Sequence, residues 1–100
     1  MNRYEIMYII AAALDEERKE AIMDTVKGII QDGGGEVIKA DVIGLKKLAY
    51  PIQKKNEGFY VLVTFNAPAE LPKELDRRLR ISDDVVRHLI INKDEDKEIA

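Results

Sequence analysis

Apolar and polar positions along the first third of the chain predict a strand followed by a helix. Residues 3–10 are rich in Tyr, Ile and Met without a helical stripe, so they predict a strand that is apolar on both faces and central in a sheet. Asp15 can cap a helix, and isoleucine and valine then recur at helical spacing until the three glycines at 33–35. The pattern predicts a helix over residues 15–32.

The middle of the chain has the pattern of a long β-hairpin. Residues 37–43 have strand character, Gly44 interrupts them, and apolar side chains with period two follow, which predicts one long strand with a bulge at the glycine. Residues 54–58 have turn composition, and residues 59–65 form another apolar strand. The hairpin is expected to span residues 36–66.

The last third of the chain repeats the order of helix and strand. Pro68 and Pro72 mark the start of a second helix, whose three leucines recur at i, i+4 and i+8 before residues 82–84 end it. Residues 85–91 predict a final strand, and the charged residues 92–100 are expected to fray.

Strand, helix, strand, strand, helix, strand is the split βαβ order. It predicts an α+β, ferredoxin-like βαββαβ fold, in which a four-stranded antiparallel sheet carries two helices on one face. We expect one domain over residues 1–93 and a short acidic C-terminal tail over residues 94–100. The sheet's other face stays open and needs RNA, another protein or a second copy as a partner.

Composition excludes several kinds of chemistry. The chain has no cysteine and one histidine, so thiolate and multi-histidine metal sites are excluded, and no apolar run reaches the roughly 18 residues of a membrane span. The net charge of −3 argues against RNA, but residues 41–93 hold ten basic and seven acidic residues. The acidic excess lies in residues 1–40 and in the tail.

Residues 44–52 carry a motif that resembles a known family. They read Gly-Leu-Lys-Lys-Leu-Ala-Tyr-Pro-Ile, and the same family pattern is matched without gaps by the segments at 3–5, 58–60 and 79–81, the last followed by Asp83 and Val85. The chain therefore resembles the bacterial small-subunit ribosomal proteins of family six over residues 1–93.

This resemblance implies a structural, non-enzymatic protein of the cytoplasmic small ribosomal subunit. It implies binding to the central domain of 16S ribosomal RNA together with ribosomal protein eighteen, with no cofactor, membrane or small-molecule substrate. Asn2 and Ser82 stand where the family often has arginine, and the segment 86–88 has one arginine where two are common. We therefore expect fewer phosphate contacts and more dependence on the protein partner.

Seven basic residues are the candidates for RNA contact. They are Arg3, Lys46, Lys47, Lys54, Lys55, Arg80 and Arg87. Lys46 and Lys47 follow the bulge glycine on an edge strand, where lysines either meet phosphates or protect the edge from aggregation. Arg3 and Arg87 are expected to form one basic patch on the open face, with cross-strand pairing to Glu5 as the alternative.

The aromatic residues and the histidine predict packing rather than chemistry. We expect Tyr4, Tyr8, Phe59 and Tyr60 to serve the core more than base stacking, because no ribonucleoprotein motif is present. His88 on an apolar strand predicts a packed or half-buried side chain.

Two alternative functions remain on the same fold. One is a ligand-sensing or dimerisation module without RNA, and the other is a small hydrolase. The hydrolase needs an anion-binding loop before the first helix, and the sequence there, Ala-Ala-Ala-Leu-Asp at 11–15, offers no arginine.

Overall fold

Two helices and five strands make up the part of the chain that the structure describes. The computed structural model describes residues 1–52, 55–95 and 97–99, and describes the backbone alone at 47–52, 55, 56 and 97. The elements are β1 (Asn2–Ala11), α1 (Glu16–Asp32), β2 (Glu36–Ile52), β3 (Lys55–Ala67), α2 (Leu71–Arg80), β4 (Val85–Asn92) and β5 (Lys97–Glu98).

The strands form one antiparallel sheet in the order β2-β3-β1-β4-β5. The four longer strands and the two helices confirm the ferredoxin-like prediction, and β1 is central, as its apolar character on both faces predicted. The two crossovers each carry a helix, because β1 and β2, like β3 and β4, run parallel with one strand between them, and parallel strands need a long connection.

Local signals set the ends of the helices. The Asp15 side chain accepts a hydrogen bond from the backbone N–H of Arg18 (2.8 Å), so Asp15 is the N-cap and α1 begins at the next residue. The backbone N–H of Gly33 donates to the Ile29 carbonyl (3.1 Å) and closes the other end. In α2, Pro72 occupies the first turn, where a missing N–H costs nothing.

One face of the sheet and the two helices share the core. Alternate residues of β1 point at the helices and are at most 2% exposed: Tyr4, Ile6, Tyr8 and Ile10. The same core contains the α1 stripe Ile22, Val26, Ile29 and Ile30 and the α2 stripe Leu71, Leu75 and Leu79. Both helices therefore cover the same face, and the intervening β1 positions, such as Glu5 and Met7, lie on the open face.

The long hairpin confirms the predicted bulge and corrects the predicted turn. The register of β2 against β3 shifts between Val42 and Gly44, and Gly44 has a φ of 100°, which side chains other than glycine rarely adopt. Strand β3 begins at Lys55, so the turn predicted over residues 54–58 extends too far. Lys55, Glu57 and Gly58 pair with residues of β2, and Lys54, the first residue of the predicted turn, lies outside the described residues.

The expectation that residues 92–100 fray is wrong for the described part of this segment. Strand β5 pairs with β4 through Ile91 and Glu98, and the backbone N–H of Ile99 donates to the Ile90 carbonyl (2.8 Å). The Asn92 side chain accepts hydrogen bonds from the next turn and bends the chain back. Backbone pairing along the free edge of β4 orders a segment that hydropathy alone assigns to solvent.

Candidate nucleic-acid interface

The β2–β3 hairpin extends beyond the rest of the sheet. The last residue of β1, Ala11, pairs with Gly58, whereas the β2–β3 pairing continues through Lys47 and Glu57 to Ile52 and Lys55. The part of the hairpin at this end, residues 46–58, is called the hairpin arm below. It holds four lysines and one glutamate, so the arm concentrates the basic excess of the chain's middle.

The four lysines of the arm were all predicted candidates. Lys46 is exposed and pairs in register with Gly58, which puts it on the open face of the sheet. Lys47 and Lys55 lie in the paired strands of the arm, and their side chains lie outside the described part of the structure. Lys54 lies outside the described residues.

Arg87 lies at the same end of the open face as the arm. It is exposed on β4 and pairs with Ile9, which is two residues from the end of β1. The open-face rows next to the arm thus run from Lys46 through Gly58 to Ala11, and from Gly44 through Ile9 to Arg87. Basic side chains border this end of the sheet on both sides.

Arg3 lies at the opposite end of the open face. It pairs with Asn66, and its Nε donates to the Asn66 Oδ1 at 3.5 Å. Six positions of β1 separate Arg3 from Ile9, the partner of Arg87, which is about 20 Å along a strand. The prediction that Arg3 and Arg87 form one patch is wrong, because the register places them at opposite ends of the same face.

Glu5 is not positioned to join either arginine in a cross-strand pair. The register places Thr64 and Ile91 directly opposite it. Arg3 and Arg87 therefore have different neighbours on this face, and the strand register does not place Glu5 opposite either of them.

Lys93 accompanies Arg3 and was missed by sequence reasoning. Its backbone N–H donates to the Arg3 carbonyl (2.8 Å), and its side chain is exposed. The signal was the alternation of Arg87, Leu89, Ile91 and Lys93 along one face of the last strand.

Arg80 belongs to a different layer of the molecule. It lies on α2, where its Nε donates a hydrogen bond to the Asp76 Oδ1 at 3.2 Å and lies 3.0 Å from the Oδ2 of the same carboxylate. The Asp76 Oδ1 also lies 2.6 Å from His88 Nε2 of β4, and the His88 and Asp76 side chains are only 11% and 18% exposed. Burial alone would raise the pKa of Asp76, but the hydrogen bonds from His88 and Arg80 hold this pKa below its usual value. His88 is thus a packed residue, as predicted, and the cluster fastens α2 to the sheet.

The other arginines of α2 are also in ion pairs. Arg77 approaches Glu74 at 2.6 Å and Arg78 approaches the same carboxylate at 3.2 Å. The hydrogen bond from Arg77 lowers the pKa of Glu74. The helical layer therefore presents mixed rather than purely positive charge.

The aromatic residues divide between the two faces. Tyr4 and Tyr8 are buried under the helices, and the Lys19 ammonium lies 4.7 Å from the ring centroid of the half-buried Phe59. Tyr60 is half-buried on the open face, opposite Ile9. Of these four residues, Tyr60 alone lies on the open face.

Comparisons with known proteins identify the family. The family model described as "Ribosomal protein S6" matches residues 3–92. The chain belongs to the ribosomal protein S6 family. It is 53% identical over 95 residues to "Small ribosomal subunit protein bS6" of Clostridium kluyveri, an alignment that covers 95% of this chain and 99% of the relative. It is 50% identical over 95 residues to the protein of the same description from Carboxydothermus hydrogenoformans, with the same coverage of both chains.

A solved structure of the S6 family supports the fold. The crystal structure of 30S ribosomal protein S6 from Thermotoga maritima matches with a TM-score of 0.89 and 32% sequence identity, over 94% of this chain and 89% of that chain. S6 family membership makes the chain a structural component of the small ribosomal subunit, in the cytoplasmic ribosome, and not an enzyme. Within the described ranges, no group of three His, Cys, Asp or Glu side chains could hold a metal ion. No helix among these residues is long and apolar enough to cross a membrane.

Proposed function

We propose that this chain binds the central domain of 16S ribosomal RNA together with ribosomal protein eighteen, and that the hairpin arm makes the main RNA contact. The observation that carries this proposal is the extension of β2 and β3 beyond β1, with Lys46 at the base of the extension and Lys47 and Lys55 in its paired strands. Lys54 adds a fourth lysine to the sequence of the arm. A projecting two-stranded arm can approach a nucleic-acid backbone without steric interference from the rest of the domain.

Electrostatics favour the arm over the remaining surface. Affinity for nucleic acid depends mainly on the phosphates that lysine and arginine neutralise, and the arm has a local charge of opposite sign to that of the whole chain. Arg87 borders the same end of the open face and extends the contact to β4. The net acidity of the protein therefore does not oppose RNA binding at this end.

The remaining basic residues are expected to contribute less to RNA binding than the arm. Arg3 and Lys93 form a second basic site at the far end of the open face, suited to another stretch of backbone. Arg80 contributes least, because it is already bonded to Asp76 and lies in the helical layer.

The open face supports a protein partner. Between its two basic ends lies a strip of half-buried apolar side chains that includes Met7, Tyr60, Leu62 and Leu89. Burial of such a strip against protein is favourable, whereas burial against phosphate is not. Arginines of the family pattern are replaced at Asn2 and Ser82, which also shifts affinity from RNA towards the partner.

A double charge reversal, Lys46→Glu with Lys47→Glu, tests the role of the arm. We expect weaker binding to central-domain RNA in the presence of saturating ribosomal protein eighteen. If both lysines neutralise phosphates, the slope of log affinity against log salt falls by about 1.4 to 1.8. Filter binding over a salt series measures both quantities.

The matched control is Lys27→Glu with Lys73→Glu, which changes the net charge equally on the two helices. Circular dichroism first establishes that each variant is folded, because charges on an edge strand also affect strand pairing. Equal affinity and slope for the arm variant and the wild type would remove these lysines from the RNA site and leave edge protection as their role.

A further inference from the structure

Strand β2 carries four of the seven exposed large apolar side chains in the described structure. Strand β2 is the first in the sheet order and has a neighbour only on the β3 side. Its exposed apolar residues are Ile38 (45%), Val42 (56%), Ile43 (40%) and Leu45 (56%). An edge strand with free backbone N–H and C=O groups and apolar side chains is a template for pairing with another strand.

We propose that this edge pairs with the same edge of a second copy of the chain, in an antiparallel arrangement centred on Ala40. In this register Lys39 lies opposite Asp41 of the second copy, and Asp41 lies opposite its Lys39. Ile38 likewise lies opposite Val42 of the second copy, and the reverse pair repeats the contact. Two-fold symmetry thus uses each favourable pair twice.

The side-chain directions fit this register. Lys39 and Asp41 pair with Thr64 and Leu62 of β3, so both lie on the open face, and they already form an ion pair within one chain at 3.5 Å. Ala40 pairs with Val63 on the helical face, as Val42 does with Val61. Residues directly opposite in an antiparallel pair share a face, so the opposite charges meet on the open face, while Ala40 and Val42 lie on the helical face.

Neighbouring registers are less favourable. Pairing centred on Asp41 places the two Asp41 carboxylates directly opposite each other, and like charges in that position are destabilising. Pairing centred on Val42 places Lys39 opposite Leu45 and Ile38 opposite Lys46. Of these three registers, the Ala40 register alone places Lys39 opposite Asp41, which is why a second copy fits this edge.

The bulges on either side limit the length of the pairing. The register of β2 against β3 shifts between Val37 and Lys39 and again between Val42 and Gly44, so the regular edge is short. Bulges bend and twist a strand and shorten the stretch available to a partner. We therefore expect a reversible dimer whose population depends on protein concentration. Lys46 and the hairpin arm lie beyond this stretch, so the dimer does not rest on the proposed RNA contact.

Sedimentation of the full chain over micromolar to millimolar concentrations tests the dimer, and two charge reversals test its register. Lys39→Asp makes positions 39 and 41 both acidic, and Asp41→Lys makes both basic. In a dimer of either variant alone, like charges therefore lie opposite each other across the two-fold axis. We expect each to dissociate at least about tenfold more readily than the wild type. An equimolar mixture restores opposite charges across the interface, although neither chain regains its internal ion pair, and we expect heterodimers to form.

Two further variants keep the test decisive. Val42→Lys, at an exposed position, should also give a monomer, whereas Ile81→Lys, an exposed apolar position at the end of α2, should leave the dimer intact. A wild-type chain that stays monomeric throughout overturns the proposal. So does a dimer that survives both charge reversals and Val42→Lys, or a mixture of the two reversals that stays monomeric.

Discussion

The body of the domain and its outer strand β2 use the same kinds of residue for different purposes. In the body, β1 has a neighbour on each side and helices over one face, and its inward residues Tyr4 to Ile10 are buried. In β2, valine, leucine and isoleucine are more frequent than in β1, yet Val42 and Leu45 are more than half exposed. The difference is position in the sheet, since both strands have high β propensity.

This contrast separates stability from recognition. Apolar burial stabilises the body, whereas β2 and the hairpin arm retain exposed apolar, basic and backbone groups that are available to partners. Function on this domain is therefore expected where the helices and neighbouring strands do not reach.

The largest difference in stability between the two regions should appear when an isoleucine is replaced by alanine in each. Ile6→Ala in β1 should lower the free energy of unfolding by about 2 to 5 kcal/mol, because the fully buried side chain leaves a cavity. Ile38→Ala in β2 should cost less than about 1 kcal/mol, because that side chain is nearly half exposed. Urea denaturation at low protein concentration compares the two. Equal losses would show that the outer strand is as much a part of the core as β1.

A smaller effect is expected from Asp76, a partly buried carboxylate of the body. Asp76→Asn should destabilise by about 1 to 3 kcal/mol at neutral pH, because His88 and Arg80 lose a charged acceptor. The pKa of Asp76 is lowered in the folded protein, so its contribution is present above the unfolded value of about 3.9 and is lost as the pH falls through the folded value.

The pH dependence gives this prediction its check. The stability difference between wild type and Asp76→Asn should shrink as the pH falls through the lowered pKa of Asp76. Glu20→Gln, on the exposed face of α1, serves as the control and should show no comparable trend. A stability difference between wild type and Asp76→Asn that persists at pH 2 would mean that packing, and not charge, explains the destabilisation.

The smallest effect should follow removal of residues 94–100. The deletion removes the β5 pairing and the hydrogen bond from the Arg3 backbone N–H to the Asp94 Oδ2 (2.9 Å), all at the edge of the body. We expect a loss of about 1 kcal/mol, which lowers the Tm by about 4 to 8 °C for a domain of this size. Calorimetry measures it, and a much larger fall would place the domain boundary beyond residue 93.

Hydropathy predicts well which segments of this chain form helices and strands, but it predicts poorly which strands pair with each other. The apolar stripes, the Asp15 cap and the bulge at Gly44 are local features, so the sequence predicts both helices and the four main strands. Strand β5 escapes prediction because its order comes from pairing with β4 and not from its own side chains.

The candidate site is predictable by residue type but not by arrangement. Period-two alternation places Arg3 and Arg87 on one face, yet only the register between β1 and β4 shows that they lie at opposite ends. The period-two pattern of apolar and polar residues is likewise the same for an edge strand and a central strand, so it does not predict the exposure of Val42.

The register that separates these arginines also has a consequence for folding order. The contact between Leu45 and Phe59 closes a loop of 14 positions, whereas the contact between Tyr4 and Asn92 closes one of 88. By chain entropy the longer closure costs about 1.6 kcal/mol more. We therefore expect the β2–β3 hairpin to form early during folding and the pairing of β1 with β4 to come late, when the intervening chain is already ordered. The strand at the centre of the finished sheet is then among the last to gain both of its neighbours.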